Sequence, residues 1–310
     1  MRDLLSIEDL TADDLTGLLD LSDEFLGVLG REIPKVPALR GRTVAMLFYE
    51  SSTRTRLSFD RAAKALSADT MTFTPGGSSV SKGESLKDTA LTVTAMGPDL
   101  MVVRHQATGA PRQIARWTGL PVVNAGDGAH QHPTQALLDC MTIRRHFGRI
   151  DGLKVAIVGD IRHSRVARSN IQALTMLGAG VVLVAPRTLL PFDHTGWPVE
   201  VTDDFDAVLP QVDVAYMLRI QEERGGGEDF PSVAEYTSRF GLTRHRAERL
   251  QEGAVVMHPG PMNRGVEIDP VVADGARSLV IEQVTHGIAV RMAVLFRILG
   301  GAAAESEGRA

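Results

Sequence analysis

Along this chain of 310 residues the apolar positions fall into two alternating patterns. Thr43-Val44-Ala45-Met46-Leu47-Phe48-Tyr49 is a nearly unbroken apolar run, as in a strand buried on both faces. Directly after it, Phe59, Ala62, Ala63 and Leu66 recur at the i, i+3, i+4, i+7 spacing of a helix facing a core. Before it, Leu15, Leu18, Leu19, Leu21 and Phe25 line one side of an opening helix over 12–30, with Gly30 at its end. The pattern then predicts strand 43–49, helix 53–66, a short strand at 70–73, helix 84–96, strand 99–103, helix 110–118, strand 121–124 and helix 133–147. Gly148 closes that helix and a second series starts at 153–160. It continues through strands at 181–185 and 199–201, helix 204–209, strand 213–218, helices at 231–240 and 243–251, and strand 254–257.

Strands alternating with helices make an α/β protein whose sheets are parallel with helices on both faces. The length exceeds what one core usually organises, so two doubly wound domains are expected, over 1–147 and 148–286. The apolar helix over 287–301 follows a complete domain and is expected to cross back onto the first. Residues 302–310 are small or charged and are expected to fray.

In such sheets ligands sit at the carboxyl ends of strands, and the polar residues found there are unusual. Ser52 is a natural N-cap, and the helix it opens carries Arg54 and Arg56 where a first turn favours Asp or Glu. Cations at the positive end of a helix suit an arriving anion, and hydroxyls from Ser52, Thr53 and Thr55 beside a guanidinium suit a phosphate. A solvated cap with stray arginines is the plain alternative. Arg104 ends another buried run, where it is either solvated or a ligand for an anion. In the stretch from Asp127 to Gln135, Pro133 suits a first helical turn and puts His132 at the cap. His130 and His132 lack a third ligand at metal spacing, so no metal is expected. Val158-Gly159-Asp160 begins like a dinucleotide loop but lacks the remaining glycines. Instead Arg165 of the basic run Arg162-His163-Ser164-Arg165, then Arg219-Ile220-Gln221, then His258-Pro259-Gly260-Pro261 place two arginines, a glutamine and a bent backbone at strand ends, a set suited to a small dicarboxylate amine. The polar, glycine-flanked stretch 78–85 reads on composition alone as a surface loop.

A hydrophobic content of 44%, a charged content of 23% and a net charge of −5 fit a soluble globular protein and argue against nucleic-acid or anionic-membrane partners. The arginine clusters are therefore sites for small anions. The single cysteine, Cys140, excludes an internal disulfide, points to a reducing compartment, and lies on an apolar helix face as a buried inert thiol. The acidic start and the lack of a run of about 18 apolar residues lead to an expected cytoplasmic location.

Ser52-Thr53-Arg54-Thr55-Arg56 resembles the carbamoyl-phosphate signature of the aspartate and ornithine carbamoyltransferases, and the later segments follow that family's order. The resemblance implies that carbamoyl phosphate is held by Ser52, Thr53, Arg54, Thr55, Arg104, His132, Gln135, Gly260 and Pro261, with Ser78 and Lys82 reaching in from a neighbouring subunit. Thr55, Arg104 and His132 would polarise the carbonyl, and Gln135 would hold the carbamoyl nitrogen. Lys82, Arg165, Arg219 and Gln221 would receive aspartate, with the backbone at Gly260 and Pro261 orienting its ammonium group. Glu50 would pair with Arg165 and Arg224 when the domains close. Ornithine enzymes of the family carry His-Cys-Leu-Pro where this chain has His258-Pro259-Gly260-Pro261, and they lack Arg-x-Gln, so the resemblance is to the aspartate branch. Gly260 departs from the leucine of better-known members.

The implied reaction moves a carbamoyl group from carbamoyl phosphate to the amine of L-aspartate, within pyrimidine synthesis, in a homotrimer with shared sites and without cofactor or metal. Regulatory or dihydroorotase chains are possible partners. Transfer to another acceptor such as ornithine, or a phosphate-binding module without chemistry, are the alternatives.

Overall fold

In a computed structural model, residues 1–73, 83–221 and 232–307 are described. The chain divides into two compact units, one of residues 1–141 with 285–310, the other of residues 142–284.

The first unit opens with α1, Ala12–Leu29, whose Thr11 and Asp14 form a reciprocal capping box. Strands β1 (Thr43–Phe48), β2 (Asp69–Phe73), β3 (Leu100–His105) and β4 (Val122–Asp127) alternate with helices α2 (Thr53–Ala65), α3 (Leu86–Ala95) and α4 (Ala110–Thr118), and α5 (Pro133–Phe147) follows. All the pairings are parallel, in the order β2-β1-β3-β4. The chain leaves β1 toward one edge and resumes at β3 on the other side, so the sheet switches direction between β1 and β3. Ala45, Leu47, Met101, Val103 and Val122 share a core with Ala90 and Val93 of α3 and Ile114 of α4.

The second unit contains β5 (Lys154–Val158), α6 (Arg165–Met176), β6 (Gly180–Val184), β7 (Val199–Thr202), α7 (Phe205–Val208), β8 (Val214–Met217), α8 (Val233–Phe240), α9 (Arg244–Glu248), β9 (Val255–Met257) and α10 (Pro270–Ala273). The order is β7-β6-β5-β8-β9, again parallel, with the switch between β5 and β8. The last helix, α11 (Val280–Glu307), does contact the first unit. Phe296 meets Phe25 of α1 edge-on at 5.6 Å, and an Arg291 Nη donates to Ser58 Oγ of α2 at 2.7 Å.

Three helices depart from the sequence pattern: the four-residue α10, too short for an apolar period to mark, and the longer α6 and α11. Helix α6 was not expected, because its buried side includes Ser169 and Asn170 beside Ile171 and Leu174, and buried polar residues mask the apolar period. Helix α11 starts before the expected 287 because Gln283 and His286 are buried too. Gln283 is held there by accepting the His258 backbone N–H at 3.0 Å.

Gly159 closes the approach of β5 to β8: its φ is +124°, and a Cβ there would stand 2.7 Å from the Leu218 carbonyl oxygen. Gly159→Ala is expected to destabilise the chain by about 3 kcal/mol, adding left-handed strain to a backbone clash. A chemical-denaturation midpoint equal to wild type would contradict this.

Candidate active site

In the first unit the candidate residues gather at the carboxyl edge of the sheet, around its switch point. Ser52 caps α2, its Oγ accepting the Thr55 N–H at 3.4 Å, and no acidic residue occupies the first turn. Thr53 and Arg54 are exposed and Thr55 is buried, so hydroxyl and guanidinium groups surround backbone N–H groups that the helix cannot satisfy itself. Arg104, in register with Phe48 across the switch, has a side chain only 11% exposed. One Nη donates to Glu50 Oε1 at 2.7 Å and the other to the Ala125 carbonyl at 3.2 Å. A single guanidinium therefore ties the turn after β1 to the end of β4, and Glu50 is engaged inside its own unit.

The loop into α5 is organised by Asp127, which is 1% exposed. It accepts hydrogen bonds from Gly109 N at 2.7 Å, Asn124 Nδ2 at 2.8 Å and Gln131 N at 3.1 Å, and contacts His130 Nδ1 at 3.1 Å. Burial alone would raise the Asp127 pKa; the hydrogen bonds from His130, Asn124 and Gly109 outweigh it and hold the carboxyl below its usual range. The same contact raises the His130 pKa against the opposing effect of burial. His105, pushed down by burial, accepts the Ala107 N–H on Nδ1 at 2.8 Å. His132 and Gln135 are buried in and beside the first turn of α5, and Gln135 Nε2 donates to Asp139 Oδ1 at 3.0 Å. Among the described residues no group of three or more His, Cys, Asp or Glu side chains could hold a metal ion.

The second unit repeats the device at its own switch point. Ser164 caps α6, its Oγ accepting the Ala167 N–H at 3.1 Å, and Arg165 is the first helical residue, again with no acid in the first turn. Arg165 is 4% exposed, so the solvated-arginine alternative does not describe it. Asp160, fully buried, accepts His163 Nδ1 at 2.9 Å and the backbone N–H groups of His163 and Gln221 at 3.1 Å. That last bond fixes the segment after β8, which bears Arg219 and Gln221, to the segment after β5. Beyond β9, His258 Nδ1 accepts the Gly260 N–H at 2.8 Å, which leaves its Nε2–H to donate to Glu267 Oε1 at 3.0 Å. Gly260 has φ +63°, a left-handed conformation that favours glycine, and it precedes Pro261 through a cis bond.

Ser78, Lys82 and Arg224 lie outside the described residues. Sequence reasoning overlooked the buried carboxylates Asp127, Asp139, Asp160 and Glu267 as organisers of these loops. The readable signal for two of them was an acid closing or just following an apolar strand, as in Gly126-Asp127 and Gly159-Asp160.

Comparison with known proteins covers nearly the whole chain. Residues 2–145 match the family described as aspartate/ornithine carbamoyltransferase, carbamoyl-P binding domain, and residues 151–298 the corresponding Asp/Orn binding domain. The aspartate carbamoyltransferase catalytic subunit of Thermobifida fusca is 59% identical over 302 residues, 97% of this chain and 96% of that protein. Trypanosoma cruzi aspartate transcarbamoylase, solved in complex with carbamoyl phosphate and aspartate, superposes with a TM-score of 0.87 at 31% identity, covering 96% of this chain and 97% of that one. Ornithine carbamoyltransferase from Pyrococcus furiosus gives 0.86 at 29% identity, covering 97% of each chain. Backbone likeness alone thus does not choose the acceptor.

The raised His130 value makes a prediction with a definite sign. The Asp127–His130 contact stabilises the fold fully below the ordinary histidine pKa, and that contribution is lost as pH rises through the raised folded value. NMR titration should place His130 above and His105 below about 6.5, and Asp127→Asn should bring His130 down. His130 titrating below His105 would contradict the assignment.

Proposed function

This chain belongs to the aspartate/ornithine carbamoyltransferase family, and we propose that it transfers the carbamoyl group of carbamoyl phosphate to the amine of L-aspartate, giving N-carbamoyl-L-aspartate and phosphate. Relatives 58–59% identical over nearly the whole chain are aspartate carbamoyltransferase catalytic subunits. The structural observation that carries the reading is a serine-capped helix start at the switch point of each sheet, with arginine where an acid is ordinary.

The start of α2 receives the phosphate through Ser52, Thr53, Arg54 and Thr55, joined by Ser78 and Lys82 of a neighbouring subunit. Thr55, Arg104 and His132 polarise the carbonyl and stabilise the oxyanion that forms on it, while Gln135 holds the carbamoyl nitrogen. Arg165 and Arg219, with Lys82, take the carboxylates of aspartate. Gln221 and the backbone at Gly260 and Pro261 orient its amine, and that backbone also contacts carbamoyl phosphate. The amine lone pair attacks the carbonyl carbon; collapse of the tetrahedral species breaks the carbon–oxygen bond to phosphate, and the amine proton leaves with it. Positioning and charge stabilisation supply the acceleration, without a covalent enzyme intermediate. Two carboxylate-binding arginines would repel a cationic acceptor, which favours aspartate over ornithine.

A phosphate arriving at Arg104 competes with Glu50 for the guanidinium. Release of Glu50, with Arg165 and Arg224 as its next partners, is the proposed closing step. The proposed setting is the early part of pyrimidine synthesis in the cytoplasm, in a homotrimer to which regulatory or dihydroorotase chains could attach.

Arg54→Ala should lower turnover by about a hundredfold or more, and Lys82→Ala should be similarly impaired. A ring mixed from the two variants has one junction where intact Arg54 meets a neighbour's intact Lys82, so reassociation should restore about one site in three. A mixture that stays inactive after demonstrated subunit exchange contradicts sharing. Near wild-type turnover in Arg54→Ala contradicts the phosphate assignment itself.

A further inference from the structure

One buried acid of the first unit is not used by the mechanism above. Asp139 is fully buried on α5, one helical turn after Gln135, and accepts the Gln135 Nε2–H at 3.0 Å. A carboxylate in such a place is costly unless compensated. The compensation comes from α11: the charge of Asp139 acts on Arg291, a guanidinium buried enough that desolvation pulls its pKa down to about 10. Arg291 in turn donates to Ser58 Oγ of α2 at 2.7 Å and to the Gly287 carbonyl at 3.0 Å, and lies 5.1 Å over the Phe59 ring. The crossing helix thus holds the helix that starts with the phosphate turn and sets a positive charge against the acid that meets Gln135.

An ionised carboxylate only accepts hydrogen bonds. The Gln135 amide can therefore face Asp139 with its NH2 group alone, and its oxygen must point the other way within the amide plane. Chemistry forces this orientation independently of how amide atoms are assigned. An outward Oε1 is an acceptor. It can engage the NH2 of a carbamoyl group, whereas the methyl of an acetyl group of nearly equal size would leave it buried without a donor.

We infer that Asp139 is a positioning residue that locks the Gln135 amide with its oxygen toward the acyl phosphate, and so makes the site selective for carbamoyl over acetyl groups. This rests on the carbamoyl-transfer reading above. In Asp139→Asn the side chain can donate as well as accept, so the Gln135 amide loses its enforced orientation.

The test is calorimetric titration of the full chain with three probes: phosphonoacetamide, which carries the NH2; acetonylphosphonate, which carries a methyl in its place; and inorganic phosphate. Wild-type protein should prefer phosphonoacetamide. Asp139→Asn should shrink that preference by about tenfold, one hydrogen bond's worth, while phosphate affinity stays within about twofold. Should Asp139→Asn fail to give a cooperative thermal transition, the same titration is read on Asp139→Glu, which keeps the negative charge beside Arg291 but moves the carboxylate; the preference should shrink there too. An unchanged preference in the folded variant overturns the inference, as does equal weakening of all three ligands, the mark of a scaffold role. Carbamoyl transfer by the wild type is measured first. Its absence would overturn the underlying reading, whereas its presence with an unchanged preference would overturn the role of Asp139 alone.

Discussion

A helix that starts at the carboxyl edge of a parallel sheet leaves several backbone N–H groups without intrahelical partners, and the local charge rule fills that place with an acid. At α2 and α6 this chain puts a capping serine and arginine there instead. Both starts stand where a sheet reverses the direction of its winding, the place at which folds of this kind take ligands. The proposed phosphate and carboxylate sites are built on these two helix starts.

What keeps the loops in place is a set of buried carboxylates. Asp127 gathers the N–H groups of Gly109 and Gln131, Asp160 those of His163 and Gln221, and Glu267 accepts the Asn263 N–H at 2.6 Å beside His258. Each turns a flexible strand-to-helix connection into a fixed one, because leaving such a group unpaired away from water costs about 1–3 kcal/mol or more. The loops that carry the candidate ligands are thus prearranged before any substrate binds, which is what electrostatic stabilisation of a developing charge requires. Asp139 belongs to the same class, with the difference that it fixes a side chain rather than a loop.

The strands and most helices were legible because a parallel sheet covered on both faces demands continuous apolar runs, and 43–49 is such a run. Helix α6 and the first turns of α11 were hidden for the same physical reason: Ser169, Asn170, Gln283 and His286 are buried polar groups, and a hydrophobic period cannot register them. Ser52 as a cap and Arg54 as an exposed cation in a first turn were readable from local rules alone. The pairing of Glu50 with Arg104 was not, since 54 residues separate them and only the β1–β3 register brings them within 2.7 Å. The hydrogen bond from Gln135 to Asp139 was local enough to read from the i, i+4 spacing. It was missed because an acid within an apolar helix suggests an exposed face until α11 supplies Arg291.

The central claim is that one unit holds the carbamoyl phosphate while the arginines of the other select a dicarboxylate amine. The most direct measurement is steady-state carbamoylation by the purified wild-type chain with carbamoyl phosphate and, in parallel, L-aspartate, L-glutamate, L-ornithine and L-lysine, each product identified by mass. The account predicts N-carbamoyl-L-aspartate as the dominant product, with kcat/KM for aspartate exceeding that for any cationic acceptor by at least about a thousandfold, the discrimination that unpaired buried polar groups supply. Comparable turnover of ornithine, or none with any acceptor, would contradict it.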